Sequence, residues 1–227
     1  YAALNDAALS AELARLAQDN KAFSNWLTRN VKMHKQPGYA IVNLTLKKVG
    51  IPPGDVTDTQ LEAIATLAVK YSFGEIRTTH QQNLVLADVK KSDLFDVWQQ
   101  LKFLGLATPN LGTLTDIICC PGGDYCSLAN AKSIPIAEAI QRRFEDIDYL
   151  YDLGDIDLNI SGCMNACGHH HVGHIGILGV DKKGEEFYQV MLGGNAGLDA
   201  SLGEIIGPSF STDAVPDVIE LILDTYV

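Results

Sequence analysis

The sequence predicts an α+β chain: a small β-α-β-β-α module followed by an α/β domain. Strand-like and helix-like apolar patterns alternate in that order between residues 39 and 104, and a second alternation of strands and helices runs from residue 115 onward. Between them lies ATPNLG, residues 107–112, a run rich in turn formers. With 227 residues, of which 47% are hydrophobic and 20% charged, the chain can bury a core as one large or two small domains.

Residues 1–30 read as an amphipathic helical segment. Residues 39–46 alternate as a strand, which IPPG closes. Asp58 then opens a helix in which Leu61, Ile64, Ala65, Ala68 and Val69 recur at helical spacing. Short strands are expected over residues 75–78 and 83–89. A helix from Ser92 to about Leu104 carries Leu94, Phe95, Trp98 and Leu101. This order matches most of a split βαβ unit of the ferredoxin-like type, placed over residues 31–108. In the third segment, residues 109–227, the expected order is a strand over 115–119, a glycine loop and a helix over about 135–144. A strand over 156–160, a cysteine segment, hairpin strands over 175–180 and 187–192, and a helix from about Ala214 complete it.

Seventeen basic against 28 acidic residues give a net charge of −11, which disfavours nucleic acid and anionic membranes as partners. Every hydrophobic run is interrupted before the roughly 18–20 residues that a membrane span requires. The chain starts YAALNDAALS, without an initiator Met or a secretory pattern, and ends in an apolar-periodic helix with no stop signal. Both ends read as cut ends. The five cysteines fall in two tight groups, Cys119, Cys120 and Cys126, then Cys163 and Cys167. An odd count, clustering and no leader suggest a reducing, cytoplasmic setting, with the thiols serving as ligands rather than disulfides.

The cysteine pattern is the sharpest chemical signal: C-P-G-G-D-Y-C from Cys120 to Cys126, then G-C-M-N-A-C-G with Cys163 and Cys167. Four thiolates complete a 4Fe-4S cube, and soft sulfur suits iron–sulfur or zinc centres. If Gly162 ends a strand and Cys163 starts a helix, Cys163 and Cys167 lie one turn apart on one face, with first-turn N–H groups favouring thiolate. Pro121, Gly122 and Gly123 prevent regular helix in the other group and let backbone approach an inorganic core. Zinc is the competing ligand, because His169, His170, His171 and His174 follow Cys167. Structural zinc sites, however, place two to four residues between paired cysteines, and one gap here is five. Cys119, in the apolar run TDIIC, is expected to be a core residue.

The C-x5-C and G-C-x-N-x-C-G motifs resemble the signature of the sulfite/nitrite reductase haemoprotein family. R-T-T-H-Q-Q-N-L, which starts at Arg77, is similar to that family's R-x-T-x-x-Q-N-L element, and L-G-G-N, which starts at Leu192, resembles a glycine turn near its macrocycle. The resemblance implies that Cys120, Cys126, Cys163 and Cys167 hold a 4Fe-4S cluster, with Cys167 also the axial ligand of sirohaem. It makes residues 109–227 the sirohaem- and cluster-binding domain, and Arg77, Gln82, Asn83, Asn165, Gly193 and Gly194 candidate macrocycle contacts. Arg77 is the best cationic donor for the sirohaem carboxylates. Gln82 and Asn83 read equally as a turn between strands, and Gly193 and Gly194 as an ordinary hairpin turn.

The family's enzymes have two homologous halves, and this chain corresponds to the C-terminal one. The implied activity is multi-electron reduction of sulfite or nitrite, with electrons from ferredoxin or a flavoprotein. The implied partners are the N-terminal half of the same enzyme or a second copy of the chain. Because most substrate-gripping cations of the family come from the other half, the single chain is expected to hold a cluster weakly and to turn over little. The alternative from the residues alone is a small electron-transfer iron–sulfur module or a zinc module without haem. No catalytic residue is assigned, and the four histidines have no assigned role.

Overall fold

In the computed structural model, which describes residues 1–227, capping side chains mark where the first helices begin. Asn5 accepts a hydrogen bond from the Ala8 N–H to start α1 (Asp6–Asp19), and Asn20 accepts one from Phe23 to start α2 (Lys21–Asn30). The extended backbone of Asn20 breaks the N-terminal helical stretch in two. Then come β1 (Val31–Met33), β2 (Tyr39–Leu44), α3 (Asp58–Tyr71), β3 (Arg77–Thr78), β4 (Leu84–Lys90) and α4 (Leu94–Phe103). Thr57 and Gln60 form a reciprocal capping box at the start of α3.

The four strands make an antiparallel sheet in the order β1-β2-β4-β3. The expected β-α-β-β-α order is present, with β1 added at one edge. The periodicity of α3 needs correcting. Ile64, Leu67, Ala68 and Tyr71 are buried, whereas Leu61, Ala65 and Val69 face solvent. The helix covers one face of one sheet, so its apolar stripe is wider than its contact. Phe23, Trp26, Val42, Leu44, Leu86, Val97 and Leu101 complete this core.

The second set of elements is β5 (Ile118–Cys119), α5 (Ile134–Arg143), α6 (Ile147–Leu153), β6 (Leu158–Ser161), β7 (Ile175–Lys182) and β8 (Glu185–Leu192). After them come β9 (Glu204–Ile205), β10 (Phe210–Ser211) and α7 (Val215–Tyr226). The sheet order is β10-β8-β7-β6-β5, with β9 paired to β8. Strands β5, β6 and β7 run parallel, and the remaining pairings are antiparallel. The strand expected from residue 115 is shorter than read, because Thr113 and Asp116 close a turn first. Leu114, Ile117, Cys119, Ile136, Ile140, Ile160, Ile177, Val190 and Ile219 form the core.

By internal contacts the chain divides into two units, Tyr1–Lys48 with Asp55–Leu111, and Val49–Gly54 with Gly112–Val227. No helix is long and apolar enough to cross a membrane. The parallel strands β5 and β6 end side by side, and the segments that follow their carboxyl ends carry all four candidate ligand cysteines. Ligand sites of open α/β sheets form at that end of the strands.

Candidate cofactor site

Register brings the two cysteine segments together. Cys119 of β5 lies opposite Ile160 of β6, and the Cys120 N–H donates to the Ile160 carbonyl at 3.1 Å. One residue further, the Gly162 N–H donates to Cys120 Sγ at 3.1 Å, and Ser133 Oγ lies 3.4 Å from the same sulfur. The loop after Cys120 is drawn back onto β6: Gly123 donates to Ala131, Cys126 to Gly122, and Asn130 and Ala131 to the Gly162 carbonyl.

Two glycines make this close approach feasible. Gly122 has φ +57°, and a Cβ there would lie 2.4 Å from the Ser133 nitrogen. A Cβ on Gly162 would lie 2.6 Å from the Ala131 carbonyl oxygen and 2.8 Å from Gly122 Cα. Tyr188, buried on β8, secures the far end of the loop by donating to the Lys132 carbonyl at 2.7 Å.

The result is one cavity of about 90 Å³ lined by Cys120, Cys126, Cys163 and Cys167, with Asn165, Leu128 and Ser161 at its walls. All four thiols are free. Cys120 and Cys163 are buried, Cys126 is half-buried and Cys167 is exposed. No three His, Cys, Asp or Glu side chains converge as a single metal ion requires. Four sulfurs line one small cavity, the number a four-iron cube requires, with one thiolate to each iron. Cys119 points into the core instead, where it is buried and its thiol donates to the Cys120 carbonyl.

No helix begins at Cys163. The segment is a chain of turns, in which Ala166 donates to the Cys163 carbonyl and His169 to that of Ala166, with Ala166 at φ +56° and His169 at φ +54°. The left-handed residues turn the backbone so that Cys163 and Cys167 still reach the same cavity, and the helix-terminus contribution expected for their sulfurs is absent. Polar side chains of β6 hold this segment: Ser161 Oγ accepts from the Gly168 N–H, and Asn159 Nδ2 donates to the His169 carbonyl.

The histidines do not gather at the cysteines' cavity. His169 is exposed, and His170–Val172 form one short 3-10 turn. His170 is buried with Nδ1 lacking a partner; burial first, and the neighbouring His171 second, depress its pKa to about 4. His174 accepts at Nδ1 from the Asp157 N–H.

Of the remaining candidates, Asn165 lies at the cavity, exposed in the turn between Cys163 and Cys167. Gly193 and Gly194 do not. They follow β8 beside the start of β7, where Ile175 pairs with Leu192, whereas the cysteine segments leave where Ser161 pairs with Leu178. Gly194 packs against backbone, since a Cβ there would lie 2.4 Å from the Gly173 carbonyl oxygen.

Arg77, Gln82 and Asn83 belong to the first unit. Arg77 is exposed and ion-paired with Glu75. Gln82 occupies a left-handed turn position at φ +58°. Asn83 is buried, and its Oδ1 accepts from the Leu46 N–H at 2.9 Å. Ser133, Ser161 and Tyr188, which shape the cavity's walls and backbone, carry no sequence signal of that role. Only their pairing partners in the fold reveal it.

Comparison with known proteins gives a consistent picture. Residues 47–104 match the model of the nitrite/sulfite reductase ferredoxin-like half domain, and residues 112–227 match the nitrite and sulphite reductase 4Fe-4S domain. A protein of Mycobacterium tuberculosis named sulfite reductase (ferredoxin) is 32% identical over 80% of this chain and 35% of its own length. The ferredoxin–nitrite reductase of Synechococcus elongatus is 30% identical over 92% of this chain and 41% of its own length. An assimilatory-type sulfite reductase of Nitratidesulfovibrio vulgaris is 27% identical over 83% of this chain and 80% of its own length. The solved structure of the NirA protein of Mycobacterium tuberculosis superposes with a TM-score of 0.70 at 30% identity, over 86% of this chain and 36% of that one. This chain therefore spans little more than a third of several relatives it matches, and four fifths of another.

Proposed function

This chain belongs to the nitrite and sulphite reductase family, and from that membership we propose that it is the cofactor-bearing C-terminal half of a sirohaem reductase of sulfite or nitrite. The observation that carries the proposal is the convergence of Cys120, Cys126, Cys163 and Cys167 on one cavity at the carboxyl ends of two parallel strands. Those four sulfurs would hold a 4Fe-4S cluster, and Cys167, the most exposed of them, would also face sirohaem iron. When bound, the cluster and macrocycle supply electron storage and a site for the oxyanion.

The chain's own residues set the conditions for that chemistry. The Gly162 N–H donates to Cys120 sulfur and the Ser133 hydroxyl lies against it, contacts that would tune the potential of a cluster held there. Gly122 and Gly162 let backbone close around the cavity. Asn165 and Gln82 offer amide donors for macrocycle carboxylates, and Arg77 a guanidinium once it exchanges Glu75 for them. Asn83 is buried beside Gln82, with its Oδ1 accepting from the Leu46 N–H. Substrate and developing charge need further cations. These would come from an N-terminal half or a second copy of the chain, with ferredoxin or a flavoprotein as electron donor. The relative from Nitratidesulfovibrio vulgaris, four fifths covered by this chain, favours a second reading in which a short chain is itself the reductase.

The test is anaerobic reconstitution with iron, sulfide and sirohaem, followed by absorption spectra and by assays of sulfide from sulfite and ammonia from nitrite under a chemical reductant. A macrocycle band that requires Cys167, with little turnover by the chain alone, is expected. Rapid turnover by the isolated chain would establish the second reading. Failure to take up either cofactor would overturn both.

A further inference from the structure

Lys47 is a lysine with no exposed surface, at 0%. Lysine is almost never buried to that extent unless its ammonium is engaged, and here Nζ donates to the Gln81 carbonyl at 2.9 Å. The carbonyl belongs to a tight turn over residues 79–83, in which Thr79 donates to the Asn83 carbonyl, Gln82 donates to the Thr79 carbonyl, and the Asn83 N–H donates to Thr79 Oγ1. The turn contains no glycine, yet Gln82 sits at φ +58°, a conformation that a Cβ-bearing residue keeps only when its surroundings hold it.

The surroundings are the stretch that leaves β2. Leu46 donates to Asn83 Oδ1, Lys47 reaches Gln81, and Asn110 Nδ2 anchors the Lys47 carbonyl at 3.1 Å. A leucine at position 47 would fill the same space without desolvating a charge. The ammonium adds a charge-assisted hydrogen bond to a carbonyl in the strained turn.

We infer that Lys47 is a positioning residue: from beneath, its buried ammonium clamps the turn over residues 79–83 and so fixes where Gln82 presents its amide. The link from Gln82 to sirohaem rests on the function proposed above. The clamp itself does not, because it is built from contacts within the first unit.

The experiment uses the full chain, its cluster reconstituted, in wild-type, Lys47→Met, Gln82→Ala and Lys47→Met/Gln82→Ala forms, with Lys47→Gln as a milder second variant. Tryptophan emission, from Trp26 and Trp98 in the first unit's core, verifies folding. Amide exchange is followed by mass spectrometry, and sirohaem binding by absorption titration. In Lys47→Met, exchange over residues 79–83 is expected to accelerate about tenfold, the loss of one charge-assisted hydrogen bond, with α3 and β2 unchanged. Lys47→Met and Gln82→Ala should each weaken sirohaem binding, and the double variant should be no weaker than either single one.

Unchanged exchange in the turn, in both Lys47 variants, would overturn the clamp. Additive losses in the double variant would overturn its action through Gln82. A loosened turn together with sirohaem binding indifferent to Gln82→Ala would uphold the clamp and remove Gln82 from the cofactor site. Absence of sirohaem binding by the wild type, with the same loosened turn, would uphold the clamp and overturn the proposed function.

Discussion

Replacing Gly122 by alanine tests the cavity's construction, because two separate penalties meet at that position. Its φ of +57° costs a Cβ-bearing residue about 1–2 kcal/mol. The new Cβ would also lie 2.4 Å from the Ser133 nitrogen and 2.6 Å from Ser133 Oγ, closer than atoms approach without displacement. Shifting packed backbone to relieve such overlap costs about 1–3 kcal/mol more, so the variant should lose roughly 2–5 kcal/mol.

Gly184→Ala is the matched control. Gly184 lies in the turn between β7 and β8 at φ +88°, with nothing within 4 Å of a built Cβ, so it carries the backbone penalty alone. Both tryptophans lie in the first unit, so their emission does not report on β6 and β7. Native-state amide exchange of those strands does. Exchange should accelerate much more in Gly122→Ala than in Gly184→Ala, and iron retention should fall only in the former. Equal effects would refute the view that Gly122 is required by close packing against Ser133.

Further expectations follow from other residues. Cys119→Ser should retain iron, because Cys119 faces the core, and should cost about 1–3 kcal/mol in a thermal or denaturant melt for burying a hydroxyl. Cys126→Ser and Cys163→Ser should lose iron, read by iron analysis of the reconstituted variants, with little cost to the apoprotein for the half-buried Cys126. Thr57→Ala removes one partner of the capping box on α3 and should lower stability by about 1 kcal/mol, measured by denaturant titration. His170, with a folded pKa near 4 against 6.5 for the free side chain, leaves the unfolded chain binding the extra proton between those values. Its contribution is fully present above pH 6.5 and is lost as the pH falls towards 4. The difference between wild type and His170→Gln in stability-against-pH curves should be confined to that window.

The meeting of the two cysteine segments at one cavity was legible because the residues around them have unusual local consequences. Pro121, Gly122 and Gly123 forbid a regular helix, and paired thiols beside glycine have few other uses. The order of elements was legible from periodicity, since α3, α4 and the β7–β8 hairpin are long enough to show it. Strands of two or three residues, β1, β9 and β10, are too short to carry a period. The turn geometry of Cys163–Cys167 was hidden because Ala166 and His169 adopt left-handed conformations that their side chains do not announce. Lys47 was invisible for a related reason. A pair of lysines after a strand reads as a solvated end, and only the carbonyl beneath shows why one of them is buried. Periodicity also overstated the core at Leu61 and Val69, since it marks which residues share a face and not how much of that face is covered.

The central claim, that four cysteines of this chain build one iron–sulfur centre, is tested most directly by iron, zinc and acid-labile sulfide analysis of anaerobically purified, reconstituted protein. Iron and sulfide in equal amounts, about four of each per chain, lost in Cys163→Ser and kept in Cys119→Ser, is the expected result. Zinc at one per chain, or iron that survives Cys163→Ser, would contradict it.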